Sequence, residues 1–324
     1  MTFLIVFGIV VVLICLIALY PYCTAFYSPK GKHPTADAPL QGEQYELLSE
    51  HIYRMSHIMG KIPYEQVTVR SFDGLKLSGR YYHVRDGAPV EILFHGYRSH
   101  AYRDCSGGHA LSRKMGFNAL VVDQRAHGES EGRTITFGIK ERYDCLVWAN
   151  YASDRFGKDT PIILSGLSMG AATVLMAANL DLPENVACIL ADSPYSTPSA
   201  IIEKVCRDLH YPVALCRPFI HLAAFLYGGF RLNGCTAKEA VRHSQMPILL
   251  IHGEDDRLVP CSMSSEIAEV CSYPVSVHTF PGAGHGLSYM VDPVRYEQVV
   301  YEFLSSIPAL KDSIWDQFIR RWEQ

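Results

Sequence analysis

A serine at a strand-to-helix junction, an acidic turn and a histidine in a glycine-rich loop carry the chemistry open to this chain. Residues 161–177 read PIILSGLSMGAATVLMA, a short apolar run, then Gly166-Leu167-Ser168-Met169-Gly170, then a small-residue helix start. A G-x-S-x-G pentapeptide between strand and helix is a nucleophile elbow, with the serine at the tip of a strained turn. The glycines have a steric reason, because a Cβ at Gly166 or Gly170 would collide with the neighbouring strand or helix. The turn also sets Ser168 at the positive end of the following helix, beside backbone N–H groups able to receive an oxyanion. Further on, HGEDDRLVP at 252–260 presents acids and GAGHG at 282–286 presents His285. Serine, acid and histidine are the parts of covalent acyl transfer: nucleophile, orienting carboxylate and general base.

These groups must be positioned by strands, and the pattern supplies eight. Runs at 65–70 and 75–83 flank Asp73-Gly74, a hairpin signal. Apolar strands follow at 90–94, 118–122, the elbow strand, 186–191, 248–251 and 275–280. A helix is expected at about 140–155, and helical patterns separate the later strands, so the connections are βαβ crossovers and the sheet is mostly parallel. Short, fully apolar strands fit a sheet covered on both faces. Ligands of such sheets bind at the carboxyl ends of the strands. His95-Gly96-Tyr97, Ser168, the 252–260 turn and His285 all stand just after a strand.

The motifs HGY at 95–97, DQRAHGES at 123–130, GLSMG at 166–170, HGEDDRLVP at 252–260 and GAGHG at 282–286 occur in the order of the α/β-hydrolases. Over about residues 64–310 the chain resembles that superfamily, and within it the single-span, serine-aminopeptidase-like branch. The resemblance implies Ser168 as nucleophile, His285 as general base and Asp256 as the acid. The family pattern H-G-x-x-D-x-x-V-P selects Asp256 over Glu254 and Asp255; Asp192, after the sixth strand, is the alternative position some relatives use. It further implies an oxyanion hole from the backbone N–H groups of Tyr97 and Met169. His95 and His252 belong to structural H-G turns, and His127 braces its loop. The insertion at about 193–246, rich in apolar residues, is expected to form a helical cap over the site and to hold its specificity.

The implied activity is hydrolysis of a carboxylic ester with a short or medium acyl group. A single glycine before Tyr97, where lipases have an H-G-G-G loop, disfavours bulky tertiary-alcohol esters and leaves linear acyl esters, amides and thioesters open. Tyr97 itself resembles the tyrosine of acetyl-sugar deacetylases. Peptidase or amidase, thioesterase and acyltransferase are variants with the same triad; a non-catalytic binding protein of the same fold is the alternative of another class. A serine at the elbow excludes the epoxide hydrolases and dehalogenases, which need a carboxylate there.

Composition narrows the rest. The chain has 324 residues, 48% apolar and 19% charged, with formal net charge −4, so no nucleic-acid footprint is expected. Fourteen histidines and ten cysteines include no C-x-x-C and no H-x-x-x-H, and neither metal nor cofactor is expected. Residues 3–19 are apolar throughout and no charge occurs between Thr2 and Lys30, which fits an uncleaved single membrane anchor over 1–27 better than a signal peptide. Lys30 and Lys32 lie only on its C-terminal side and no asparagine heads a glycosylation sequon, which favours a cytoplasmic catalytic domain. Residues 28–60 are expected to be a Pro- and Gly-containing tether and an amphipathic helix that packs on the hydrolase domain of 61–324. Ile314, Trp315, Phe318, Ile319 and Trp322 suggest a C-terminal helix face docked on that domain. The partners expected are therefore a small ester or acyl substrate and the membrane.

Overall fold

The computed structural model describes residues 1–29, 43–315 and 318. The eight expected strands all form, as β1 (Glu65–Arg70), β2 (Lys76–Tyr82), β3 (Val90–Phe94), β4 (Asn118–Asp123), β5 (Ile162–Leu167), β6 (Val186–Asp192), β7 (Ile248–Gly253) and β8 (Val275–Phe280). They make one sheet in the order β1-β2-β4-β3-β5-β6-β7-β8. β2 is antiparallel to both β1 and β4, and every pairing from β4 to β8 is parallel. The elbow strand is therefore central, where both of its edges are paired and its position is most rigidly set.

Alternate residues of β5 feed opposite cores, as the period of two demands. Ile162 and Leu164 pack with Trp148, Ala149, Val174 and Leu175 on one face. Ile163 packs with Leu111, Met115, Val299 and Phe303 on the other. The first core holds the helices Glu141–Phe156 and Met169–Ala177, and the second holds Ser106–Met115 and Pro293–Ser305. The helix expected at 140–155 is thus displaced by a single residue. Ile314 and Phe318 are buried in the second core; Ile319 and Trp322 lie outside the described residues.

The insertion at 193–246 folds into the helices Pro198–Asp208, Val213–Leu226 and Ala237–Val241. Ile220, Ala223 and Ala224 anchor it in the first core. Ahead of β1 stands the amphipathic helix Glu43–Lys61, packed by Ile52, Ser56 and Met59 toward the helices Ala101–Asp104 and Ser106–Met115. The expected tether falls largely on residues 30–42, outside the described residues, as do Lys30 and Lys32. At the N-terminus the helix Thr2–Pro21 runs into a π-turn, Tyr22–Phe26. Residues Thr2–Phe26 are long and apolar enough to cross a membrane, with an 18-residue stretch whose mean hydropathy is 3.3.

One acid in this frame is buried at the centre of the sheet, on β3. Glu91 of β3 is buried and accepts hydrogen bonds from Ser112 Oγ and Ser165, yet burial outweighs both and pushes its pKa up to about 7. An acid whose folded-state pKa is raised costs stability as pH climbs from its unfolded-state value toward the folded one. Replacing Glu91 by Gln removes that cost. The melting temperature of Glu91→Gln is expected to exceed wild type at about pH 8, the gap narrowing as pH falls toward about 4.5, in a calorimetric pH series.

Candidate active site

Ser168 follows β5 directly and has φ +56° and ψ −113°, a left-handed backbone that side chains rarely adopt. Two close approaches impose it. A Cβ on Gly166 would overlap the Gly170 carbonyl, and one on Gly170 would overlap the carbonyl oxygen of Phe94 at the end of β3. Glycine is the residue that lets the turn press onto both neighbours. Met169 starts the helix Met169–Ala177, so its N–H has no partner within the helix. Among the described residues neither that N–H nor the Tyr97 N–H is engaged by another group.

His285, on the loop after β8, places Nε2 2.8 Å from Ser168 Oγ. Its Nδ1 lies 2.7 Å from Asp256 Oδ2, on the turn after β7. A carboxylate only accepts, so Nδ1 carries the proton and Nε2 is left to accept from the serine hydroxyl. The other oxygen, Asp256 Oδ1, accepts from the backbone N–H groups of Leu258 (2.9 Å) and Val259 (2.8 Å). Burial opposes the charge on Asp256, but hydrogen bonds from His252 and His285 outweigh it and hold the carboxyl well below the usual range. Asp256 is thus an ion throughout the working pH range.

The other acids are elsewhere. Glu254 and Asp255 are exposed, and Glu254 accepts from Thr279 Oγ1 at 2.6 Å. Asp192 accepts from Ser193 Oγ (2.9 Å) and Tyr296 Oη (3.2 Å) and does not meet the imidazole. Burial pushes its pKa up.

His252 does more than shape a turn. Its Nε2 faces two acceptors, the Val259 carbonyl at 2.9 Å and Asp256 Oδ2 at 3.2 Å, so it donates; its Nδ1 meets Ser264 Oγ at 2.7 Å. It is therefore a further donor to the acid. The only hint in the sequence was its place four residues before Asp256, since contact across a turn leaves no periodic mark.

The HGY loop is tied down by its neighbours. His95 Nε2 accepts from the Gln124 N–H (3.1 Å), and His127 Nε2 accepts from the Arg98 N–H (3.0 Å), the residue next to Tyr97. The Tyr97 ring stacks on Phe137, centroids 5.0 Å apart, and its hydroxyl donates to the Ala25 carbonyl at 2.8 Å. Burial pushes that phenol up to about 12. The hydroxyl is thus committed to the N-terminal segment rather than to a substrate, which weakens the likeness to the sugar deacetylases.

A cavity of about 420 Å³ opens beside Ser168 and His285. That is within the roughly 300–1,000 Å³ of small-ligand sites. Its walls include Leu93, Gly107 and Gly108 on one side and Leu287, Tyr289 and Met290 on another, with Tyr45 and Ile52 of the helix Glu43–Lys61. No residue of 193–246 lines it, so the covering position expected of the insertion is held on this side by the N-terminal amphipathic helix. Tyr45 Oη donates to the His285 carbonyl, and burial with the carboxylates of Asp104 and Asp256 keeps it protonated far above the usual range.

A sequence model of the alpha/beta hydrolase family matches residues 92–299, more than half of the chain. The chain belongs to the alpha/beta hydrolase family. This hydrolase is 24% identical over 235 residues to YqkD of Bacillus subtilis, covering 72% of this chain and 77% of that one. It is 25% identical over 187 residues to the lysophosphatidylserine lipase ABHD12 of Danio rerio, covering 54% of this chain and 44% of the lipase. The hydrolase thus spans less than half of that relative. The esterase Pf2001 of Pyrococcus furiosus superposes with a TM-score of 0.64 at 24% identity, covering 85% of this chain and 97% of the esterase, a likeness of fold.

The two acids predict different phenotypes. Asp256→Asn, which lets the imidazole present the wrong tautomer to Ser168, is expected to lower kcat by about 10⁴-fold. Asp192→Asn should leave kcat within about tenfold of wild type, in steady-state assays of folded protein.

Proposed function

We propose that this protein is a membrane-anchored serine hydrolase that cleaves carboxylic esters with short or medium acyl groups through an acyl-enzyme on Ser168. The observation that carries the reading is the unbroken relay from Ser168 Oγ to His285 (2.8 Å) to Asp256 (2.7 Å). His285 Nε2 takes the hydroxyl proton as Ser168 Oγ bonds to the ester carbonyl carbon. The carbonyl π electrons move to oxygen, where the Met169 and Tyr97 N–H groups receive the negative charge. Collapse expels the alcohol, protonated by His285, and leaves the acyl group on Ser168. Water, deprotonated by the same imidazole, then attacks the acyl carbon and releases the carboxylic acid and free serine. Asp256 holds the ring in register and stabilises the imidazolium between the two steps.

An ester rather than an amide is favoured by the named activities of the esterase and lipase relatives. The anchor is the helix Thr2–Pro21, whose apolar side chains are almost all exposed. Acyl-chain selection resides in the cavity walls, including Ile52, rather than in the insertion at 193–246.

Labelling with a fluorophosphonate probe is expected for wild type and lost in Ser168→Ala and His285→Ala. Well-folded wild-type protein that stays unlabelled would overturn the reading in favour of a binding protein. Among p-nitrophenyl esters, Ile52→Ala is expected to move the kcat/KM optimum to longer chains, changing the long-to-short ratio by about tenfold. The same truncation at Phe219, in the insertion, should leave the optimum in place.

A further inference from the structure

Among the described residues, none covers an apolar surface of the insertion. Leu209, Tyr211, Leu215, Phe225 and Leu226 are all exposed, Leu215 at 68% and Phe225 at 60%. They lie on or just before the helix Val213–Leu226, and the helix Thr2–Pro21 packs against that helix. The Tyr227 hydroxyl donates to the Cys15 carbonyl at 2.8 Å, and the Tyr20 and Tyr211 hydroxyls are 3.4 Å apart. Tyr22 and Tyr227 rings meet at 5.6 Å. The apolar surfaces of the two helices are therefore one continuous face.

Depth follows from geometry. Tyr20 and Tyr22 are the kind of residue that sits at the membrane–water interface. At 1.5 Å per residue, Cys15 is about 7.5 Å further along the helix, on the hydrocarbon side. The bond from Tyr227 brings the end of Val213–Leu226, with Phe225 and Leu226, alongside that stretch. Charge points the same way. Residues 193–246 carry six Lys and Arg against three Asp and Glu, in a chain whose net charge is −4. Arg207 and Arg217 are exposed beside the apolar residues, Arg217 with its guanidinium paired to Glu203.

We propose that residues 209–226 are a second membrane contact, sinking their exposed apolar face into the headgroup–hydrocarbon boundary of an anionic phospholipid bilayer beside the anchor. The proposal rests on the reading of Thr2–Pro21 as that anchor. An amphipathic surface with basic residues at its rim binds such a boundary by apolar burial plus attraction to anionic headgroups. The contact fixes how the hydrolase body lies on the bilayer, which an anchor on a free tether would leave open.

The test uses the full chain reconstituted in vesicles of phosphatidylcholine and phosphatidylserine, with dibrominated phosphatidylcholine as the quencher. Single tryptophans are introduced as Val10→Trp in the anchor, Leu215→Trp and Phe225→Trp in the insertion, and Val294→Trp on the helix Pro293–Ser305. That last helix belongs to the core on the opposite face of the sheet. Brominated lipid is expected to cut the added fluorescence of Val10→Trp, Leu215→Trp and Phe225→Trp, and to spare Val294→Trp. Quenching at Val10→Trp alone would overturn the second contact and leave the anchor standing. No quenching at Val10→Trp would overturn both.

Discussion

The contact of Gly170 with the Phe94 carbonyl is the constraint on which the site depends. It draws the elbow of β5 against the end of β3, and these two strand ends carry Ser168 and the loop with the Tyr97 N–H. Holding Ser168 at φ +56° costs about 1–3 kcal/mol. Burial of the following helix opposes that cost. Every residue of Met169–Ala177 is buried, and side chains such as Val174, Leu175 and Met176 contribute about 1.5–3 kcal/mol each when fully removed from water. The strain is thus offset within a few residues, and the serine is held up by the core beneath it.

The remaining groups converge because the strands are parallel and neighbouring. Loops after β7 and β8 emerge at the same end of the sheet as the elbow, and they press on one another. A Cβ on Gly253 would overlap the Ala283 carbonyl, and the Asp255 N–H donates to that carbonyl at 2.9 Å. This packing brings Asp256 under His285 and buries the carboxylate. Backbone N–H groups, His252 and His285 together replace the water it gives up, which keeps it charged at a depth where an unpaired carboxylate would take up a proton. The positioning of the histidine and the ionisation of its partner are thus one event of packing.

The cavity has a different origin. Its walls come from segments far apart in the chain, the helix Glu43–Lys61 and residues 285–296 among them and none from the insertion. The insertion is tied instead to the N-terminal helix, through Tyr227 and Cys15, while Tyr97 and Arg98 bond to the carbonyls of Ala25 and Tyr27. The segment after the first helix therefore touches the loop that carries Tyr97. The two long N-terminal helices take different places, one against the insertion and one over His285.

Much of this was legible in the chain itself, for physical reasons. Strands buried on both faces must be short and apolar, so all eight could be read, with β2 one residue shorter at each end and β4, β6 and β7 running one or two residues further at their carboxyl ends. The elbow could be read because only glycine tolerates the approach at 166 and 170, and a residue type forced by sterics leaves a local mark. The order of Ser168, Asp256 and His285 at strand ends follows from the parallel topology. The motif register had already named Asp256 over Asp192 as the acid, and the structure sets that carboxylate against the imidazole. Tertiary structure alone decided that His252 donates to that acid, and that Tyr45 and Ile52 wall the cavity, which no residue of 193–246 lines. Periodicity tells which face of the helix Glu43–Lys61 must be covered but says nothing of what covers it. A partner brought in from 240 residues away, as His285 is for Tyr45, is set by how the folded elements fit together.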